Sequence, residues 1–163
     1  CQCVAIIILM ENIFWVLENR LAGRPGPDEV PWDLGEIYGA GFRAILSLEN
    51  NVDPAEIKNF GFEHLLAPML DEIPPDDNSI SAYKRLLPGA IDFIDVQISK
   101  GLPVLVHCHA GMDRTGMAIA CFLVRHRGMA PKEALSKVRM TRPVALTSAG
   151  YEAAYFAVAS SLV

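Results

Sequence analysis

Apolar positions along the chain recur in two rhythms. Between residues 79 and 100, Ile80, Tyr83, Leu87, Ile91, Ile94 and Ile98 return every three or four positions, the spacing of a helix with one buried face. Pro88-Gly89 falls inside that pattern and predicts a kink or a break. Shorter runs rich in β-formers, at residues 12–16, 20–22, 43–48, 62–66 and 104–106, read as strands. Breakers mark residues 23–27 as a loop. Helical segments are predicted from Asp28 or Glu29 to about Tyr38, with Pro31 in the first turn, and from Asp53-Pro54 to Gly61. Further helices are predicted over residues 117–127, 131–141 and 148–159. Strands alternating with helices imply parallel strands joined by crossover helices. The expected fold class is therefore α/β: one domain, with a twisted, mostly parallel sheet of about five strands and helices on both faces.

Composition narrows the picture. A chain of 163 residues, 52% hydrophobic and 20% charged, has enough apolar material for a real core. The net charge of −5 argues against a nucleic-acid partner. Residues 1–10, Cys-Gln-Cys-Val-Ala-Ile-Ile-Ile-Leu-Met, read as an apolar N-terminal extension ahead of a domain of residues 11–163. That stretch lacks the basic flank of a signal peptide and is too short to span a bilayer, so no stable membrane insertion is expected. Cys1-x-Cys3 suits a metal or a lipid, but a terminal or appended segment is the favoured reading, and Met10 is a plausible natural start. Cys1, Cys3, Cys108 and Cys121 make no convincing disulfide framework for this length.

The chemistry concentrates after the apolar run 104–106, in His107-Cys108-His109-Ala110-Gly111-Met112-Asp113-Arg114-Thr115-Gly116. A cysteine at a strand end, five intervening residues and an arginine at a helix start allow the loop to curl with its backbone N–H groups inward. A helix N-terminus and a cation favour the thiolate of Cys108. The same cradle would hold a phosphate dianion above the sulfur. Phosphomonoester hydrolysis needs a nucleophile, donors for the equatorial oxygens, an acid for the leaving oxygen, and a water. Cys108 suits the first task. The N–H groups of His109, Ala110, Gly111, Met112, Asp113 and Arg114 suit the second, with the Arg114 guanidinium as a bidentate clamp. Gly111 permits close backbone approach. Thr115 is placed to donate to the sulfur as it leaves in the second step, and His107 to orient the loop through a backbone hydrogen bond. A free thiol at Cys108 points to a reducing compartment, and the cytoplasm is the expected location.

The motif His107-Cys108-x5-Arg114-Thr115-Gly116, between a strand and a helix, resembles the signature of the cysteine-dependent protein tyrosine phosphatases, in their dual-specificity branch. Residues 12–17 with Arg20-Leu21-Ala22-Gly23, Asp71-x2-Pro74-Pro75 and Arg139-x2-Arg142-Pro143 are similar to small atypical members related to the one called VHZ. The likeness covers roughly residues 11–156. It implies a phosphotyrosine phosphatase-like fold and a metal-independent reaction through a cysteinyl-phosphate, with no cofactor. The implied partner is a phosphorylated protein or peptide, met by a monomer. It also implies a general acid on a loop between a strand and the long helix. Residues 67–78, with three prolines and four acidic side chains, occupy that place. Asp71 matches the family position, and Glu72, Asp76 and Asp77 compete with it. Asp76-Asp77-Asn78 also read as the cap of the next helix.

Two departures bear on the substrate. Asp113 stands where many dual-specificity enzymes have a small residue, and the loop thereby also resembles bacterial phosphatases of broad specificity, some acting on phosphoinositides. Those usually carry Lys where this chain has Met112. Asp113 is read as an alternative acid or as a structural carboxylate, with the latter favoured. The segment 146–150 lacks the glutamine with which classical tyrosine phosphatases position water. His107-Cys108-His109 as a metal site is disfavoured, because alternate residues on a strand face opposite sides. His64 and His126 have no motif, and Cys121 reads as an inert buried thiol. Arg139 and Arg142 suit either the approach to the site or a helix C-terminus. A broad-specificity phosphomonoesterase, a silent phosphate-binding module and a rhodanese-like or arsenate-reducing enzyme are the alternatives. Intact Cys108 and Arg114 disfavour the silent module, and the acidic, proline-rich loop disfavours the last.

Overall fold

The computed structural model describes residue 3 and residues 11–163. Five four-residue strands, β1 (Phe14–Leu17), β2 (Leu21–Arg24), β3 (Ala44–Ser47), β4 (Glu63–Leu66) and β5 (Val104–His107), form one sheet in the order β1-β2-β5-β3-β4. Only β1 runs antiparallel to its neighbour. The central strand β5 lies between β2 and β3, with His107 opposite both Arg24 and Ser47, so three strand ends meet where the loop begins.

Six helices follow from the sequence: α1 (Leu34–Gly39), α2 (Pro54–Phe60), α3 (Asp77–Ser99), α4 (Asp113–Arg127), α5 (Pro131–Thr141) and α6 (Tyr151–Ser160). Alternation along β5 divides the core. Leu105 turns to the side covered by α1 and α2, with Ala22, Ile45, Ile57 and Phe62. Val104 and Val106 turn to the larger side, where α3 to α6 enclose Leu46, Ile91, Ile119, Phe122 and Tyr155. Every residue of α4 from Arg114 to Val124 is buried, and Gly128 ends that helix in the left-handed region at φ 66°. The architecture is the expected mostly parallel sheet with helices on both faces.

Several boundaries differ from expectation. The segment after residue 28 makes only a turn, with Val30 N–H donating to Gly26 O at 3.0 Å. The residue before a proline is biased away from α geometry, so Val30-Pro31 stops that turn. α1 starts instead after Asp33, whose carboxylate accepts the Glu36 N–H at 3.0 Å. β2 continues through Arg24, because it pairs along the full length of β5. α3 runs unbroken through Pro88; the carbonyl deprived of a donor belongs to Lys84, which is exposed and open to water. α4 begins at Asp113 rather than residue 117, which puts Arg114 and Thr115 in its first turn. The last helix begins at Tyr151, after Gly150 at φ 79°. The proposed extension of residues 1–10, apart from the exposed Cys3, lies outside the described residues. Among the described residues no helix is long and apolar enough to cross a membrane.

Candidate active site

The loop between β5 and α4 is shaped by what holds its carbonyls. Cys108 O lies 3.2 Å from His107 Nδ1, and His109 O accepts the Gly26 N–H at 2.8 Å. Ala110 O and Gly111 O accept from Arg142, at 3.0 and 3.2 Å. Four successive carbonyls are thus held from outside. The N–H groups of His109, Ala110, Gly111 and Met112 have no protein acceptor among the described residues. That polarity, carbonyls outward and N–H groups free, is what an anion cradle requires. Gly111 sits at φ 64°, and a Cβ there would lie 2.6 Å from the Arg24 carbonyl. Glycine is required on both counts.

Cys108 is buried, and Thr115 Oγ1 donates to its sulfur at 3.0 Å. Arg114 is buried as well, with Nη2 donating to Asp71 Oδ2 at 3.1 Å and Nη1 directed at Met69 O at 3.4 Å. Glu49 Oε1 approaches the same Nη2 at 3.7 Å. His109, half exposed, stands at the rim between Glu29 at 3.1 Å and Glu49 at 3.7 Å.

Of the four carboxylates on the acidic loop, Asp71 is the one that meets the phosphate loop. Its side chain is 46% exposed on one side and bonded to Arg114 on the other. Asp76 is occupied as the N-cap of α3, accepting the Ser79 N–H at 2.8 Å. That bond holds its carboxyl below the usual range. Glu72 and Asp77 are exposed. Asp113 accepts the Ser148 N–H at 3.3 Å, a contact that ties the loop to the segment before α6.

His107 is fully buried and belongs to a chain of polar groups. Its Nδ1 faces a carbonyl, which only accepts, so Nδ1 carries the proton. Its Nε2 then accepts from Ser47 Oγ at 2.7 Å, and Ser47 Oγ accepts from His64 Nε2 at 2.9 Å. Burial lowers both histidines to about 4, helped at His107 by Arg24 and at His64 by Lys58. The pair is neutral and serves as an anchor for the Cys108 carbonyl.

Sequence reasoning missed three parts of this arrangement. Tyr83 and Tyr151 read as core residues, yet the Tyr83 hydroxyl donates to Leu70 O at 2.6 Å and the Tyr151 hydroxyl to Asp71 Oδ1 at 2.8 Å. Ser47 closes the strand beside β5, and only the β3–β5 register reveals its link to His107. The buried hydroxyls themselves were the available signal, since a buried Tyr O–H finds a partner. Arg139 serves its own helix end, donating to Ala145 O at 2.9 Å and pairing with Glu152 at 2.8 Å.

A central parallel strand that delivers a cysteine into such a cradle, with an arginine in the first turn of a buried helix, defines the class of cysteine-loop phosphatase domains. The family model described as "Dual specificity phosphatase, catalytic domain" matches residues 36–156, and the chain belongs to that family. Among curated proteins it is similar to the phosphatidylglycerophosphate phosphatase PTPMT1 of Arabidopsis thaliana, with 30% identity over 130 residues, 79% of this chain and 36% of that protein. It is also similar to dual specificity protein phosphatase 12 of Mus musculus, with 31% identity over 121 residues, 72% of this chain and 33% of that protein. The chain thus spans about a third of the length of these relatives. The crystal structure of Tk-PTP in the active form superposes with a TM-score of 0.72 at 24% identity, covering 91% of this chain and 97% of that one. At that identity the likeness concerns the fold.

Proposed function

We propose that the chain hydrolyses phosphotyrosine monoesters, and phosphoserine and phosphothreonine monoesters with them, in a protein or peptide, through a cysteinyl-phosphate. The observation that carries this reading is the convergence on Arg114 of the loop that presents Cys108 and the loop that presents Asp71. In the first step the Cys108 sulfur attacks phosphorus. The free N–H groups of the loop and the Arg114 guanidinium take the equatorial oxygens, and Asp71 protonates the leaving oxygen. In the second step Asp71 withdraws a proton from water as it attacks the phosphoenzyme, and the Thr115 hydroxyl steadies the departing sulfur. The charge stabilisation comes from Arg114 and backbone amides, so the reaction as drawn needs no metal. The free thiol suits a reducing compartment such as the cytoplasm.

A second reading keeps the loop and changes the substrate to a phosphorylated lipid. The similarity to a phosphatidylglycerophosphate phosphatase favours it. Against it stand Met112 where a lysine would serve a multiply charged headgroup, and the carboxylates of Glu29 and Glu49 at the rim. A panel of phosphopeptides, phosphoinositides and phosphatidylglycerophosphate tests the choice. The protein reading expects the highest kcat/KM on phosphotyrosine peptides, and a preference for either lipid would overturn it.

A further inference from the structure

Two buried tyrosines from different helices close on consecutive residues of the acid loop. Tyr83, on α3, holds Leu70 O, and Tyr151, the first residue of α6, holds Asp71 Oδ1. Burial pushes both phenols up, and at Tyr151 the adjoining Tyr83 and Asp71 add to the effect, so each remains a donor. The other carboxylate oxygen, Oδ2, is the one on Arg114. The loop is also seated mechanically. A Cβ at Gly150 would come within 2.6 Å of Pro74 Cβ, so the residue before Tyr151 packs directly on the Pro74-Pro75 turn. Ser148, two residues earlier, donates to Asp113 on the phosphate loop. Segment 148–151 therefore touches both working loops.

We propose that Tyr151 is a positioning residue that assigns the two oxygens of Asp71 different tasks. Its hydroxyl occupies Oδ1, and Oδ2 becomes the oxygen that carries the proton to the leaving group. The inference rests on the reading of Asp71 as the acid. When a phosphoryl group enters the cradle, Arg114 turns its N–H groups to the phosphate oxygens and releases Oδ2. The Sγ–P bond then forms as the bridging P–O bond breaks. The electron pair of that bond stays on the leaving oxygen, which takes the proton from Oδ2. Tyr151 keeps its own proton throughout and touches no reacting atom.

The test compares two substrates. The nitrophenolate of 4-nitrophenyl phosphate departs without much help, whereas the phenol of phenyl phosphate needs a proton. For Tyr151→Phe, kcat on phenyl phosphate should fall about ten-fold, with KM and the 4-nitrophenyl phosphate rate held within about two-fold. Asp71→Asn should show the same selectivity more strongly, and adding Tyr151→Phe to it should cost nothing further. Rates are taken per folded site, counted by alkylation of Cys108, so a loss of folding does not mimic a loss of positioning. Equal losses on both substrates, or an added loss in the Asp71→Asn background, would overturn the role of Tyr151. A lack of selectivity in Asp71→Asn itself would instead remove Asp71 as the acid, and the inference would fall with it.

Discussion

Arg142 reaches back 31 positions along the chain to donate to the carbonyl of Gly111 at 3.2 Å, and its second nitrogen donates to Ala110 O at 3.0 Å. One planar side chain thus turns two peptide units so that their carbonyls face away from the cradle. A guanidinium makes this double contact, and an ammonium cannot reproduce the fork.

Arg142→Lys should therefore loosen the loop without removing the charge. Hydrogen bonds to charged groups are worth ~1.5–3 kcal/mol each, so losing one should weaken inhibition by inorganic phosphate or vanadate about ten-fold or more. Inhibition constants for wild type and variant provide the check, and equal constants would remove Arg142 from the loop's support.

Gly26 braces the same loop from the opposite side. A Cβ there would meet Cys108 O at 2.2 Å, and the obstacle is backbone, which cannot swing aside. Gly26→Ala should cost about 1–3 kcal/mol in overpacking. It should also displace the Cys108 carbonyl, lowering both the melting temperature and kcat/KM on an aryl phosphate. Crystals of the variant with an unmoved loop would contradict the packing account.

The loop's chemistry was legible in the sequence because its parts are local: Cys108, Gly111, Arg114 and Thr115 lie within eight consecutive positions of a strand–loop–helix passage. Asp71 was legible only through the family likeness, since nothing in residues 67–78 alone separates it from Glu72 or Asp76. Arg142, Tyr151 and Ser47 were not legible as partners of the loop. Their contacts depend on strand register and helix docking, which pair spacing does not encode. The helix start at Asp113 was missed for a related reason: polar residues at 113–115 look like loop until the buried site that takes them is known. The Pro88 break failed to appear because an exposed carbonyl can do without its donor.

Thr115→Val keeps the buried shape and removes the donor to the Cys108 sulfur. The sulfur is the leaving group of the second step, so this variant should accumulate cysteinyl-phosphate and lose about ten-fold in kcat. Intact-mass measurement after acid quench should show the added phosphoryl group. An unchanged kcat with no accumulation would count against the assigned role.

Acid should destabilise the fold through two histidines. His107 and His64 are held to about 4 in the native state, below the usual 6.5, so the unfolded chain binds more protons across that interval. Their contribution is complete above pH 6.5 and is lost as pH falls toward 4. Thermal melts in small pH steps should decline through this window, and more shallowly in His64→Gln. A melting temperature that rises as pH is lowered there would contradict the neutral Ser47-centred anchor.

The central claim is that Cys108 is the nucleophile of a metal-independent phosphomonoesterase. Its most direct measurement is hydrolysis of an aryl phosphate, with and without a chelator, by wild type and Cys108→Ser. The account predicts full wild-type activity in the chelator and a loss of roughly 10³-fold or more in the serine variant. Activity that survives Cys108→Ser, or that the chelator abolishes, would contradict it.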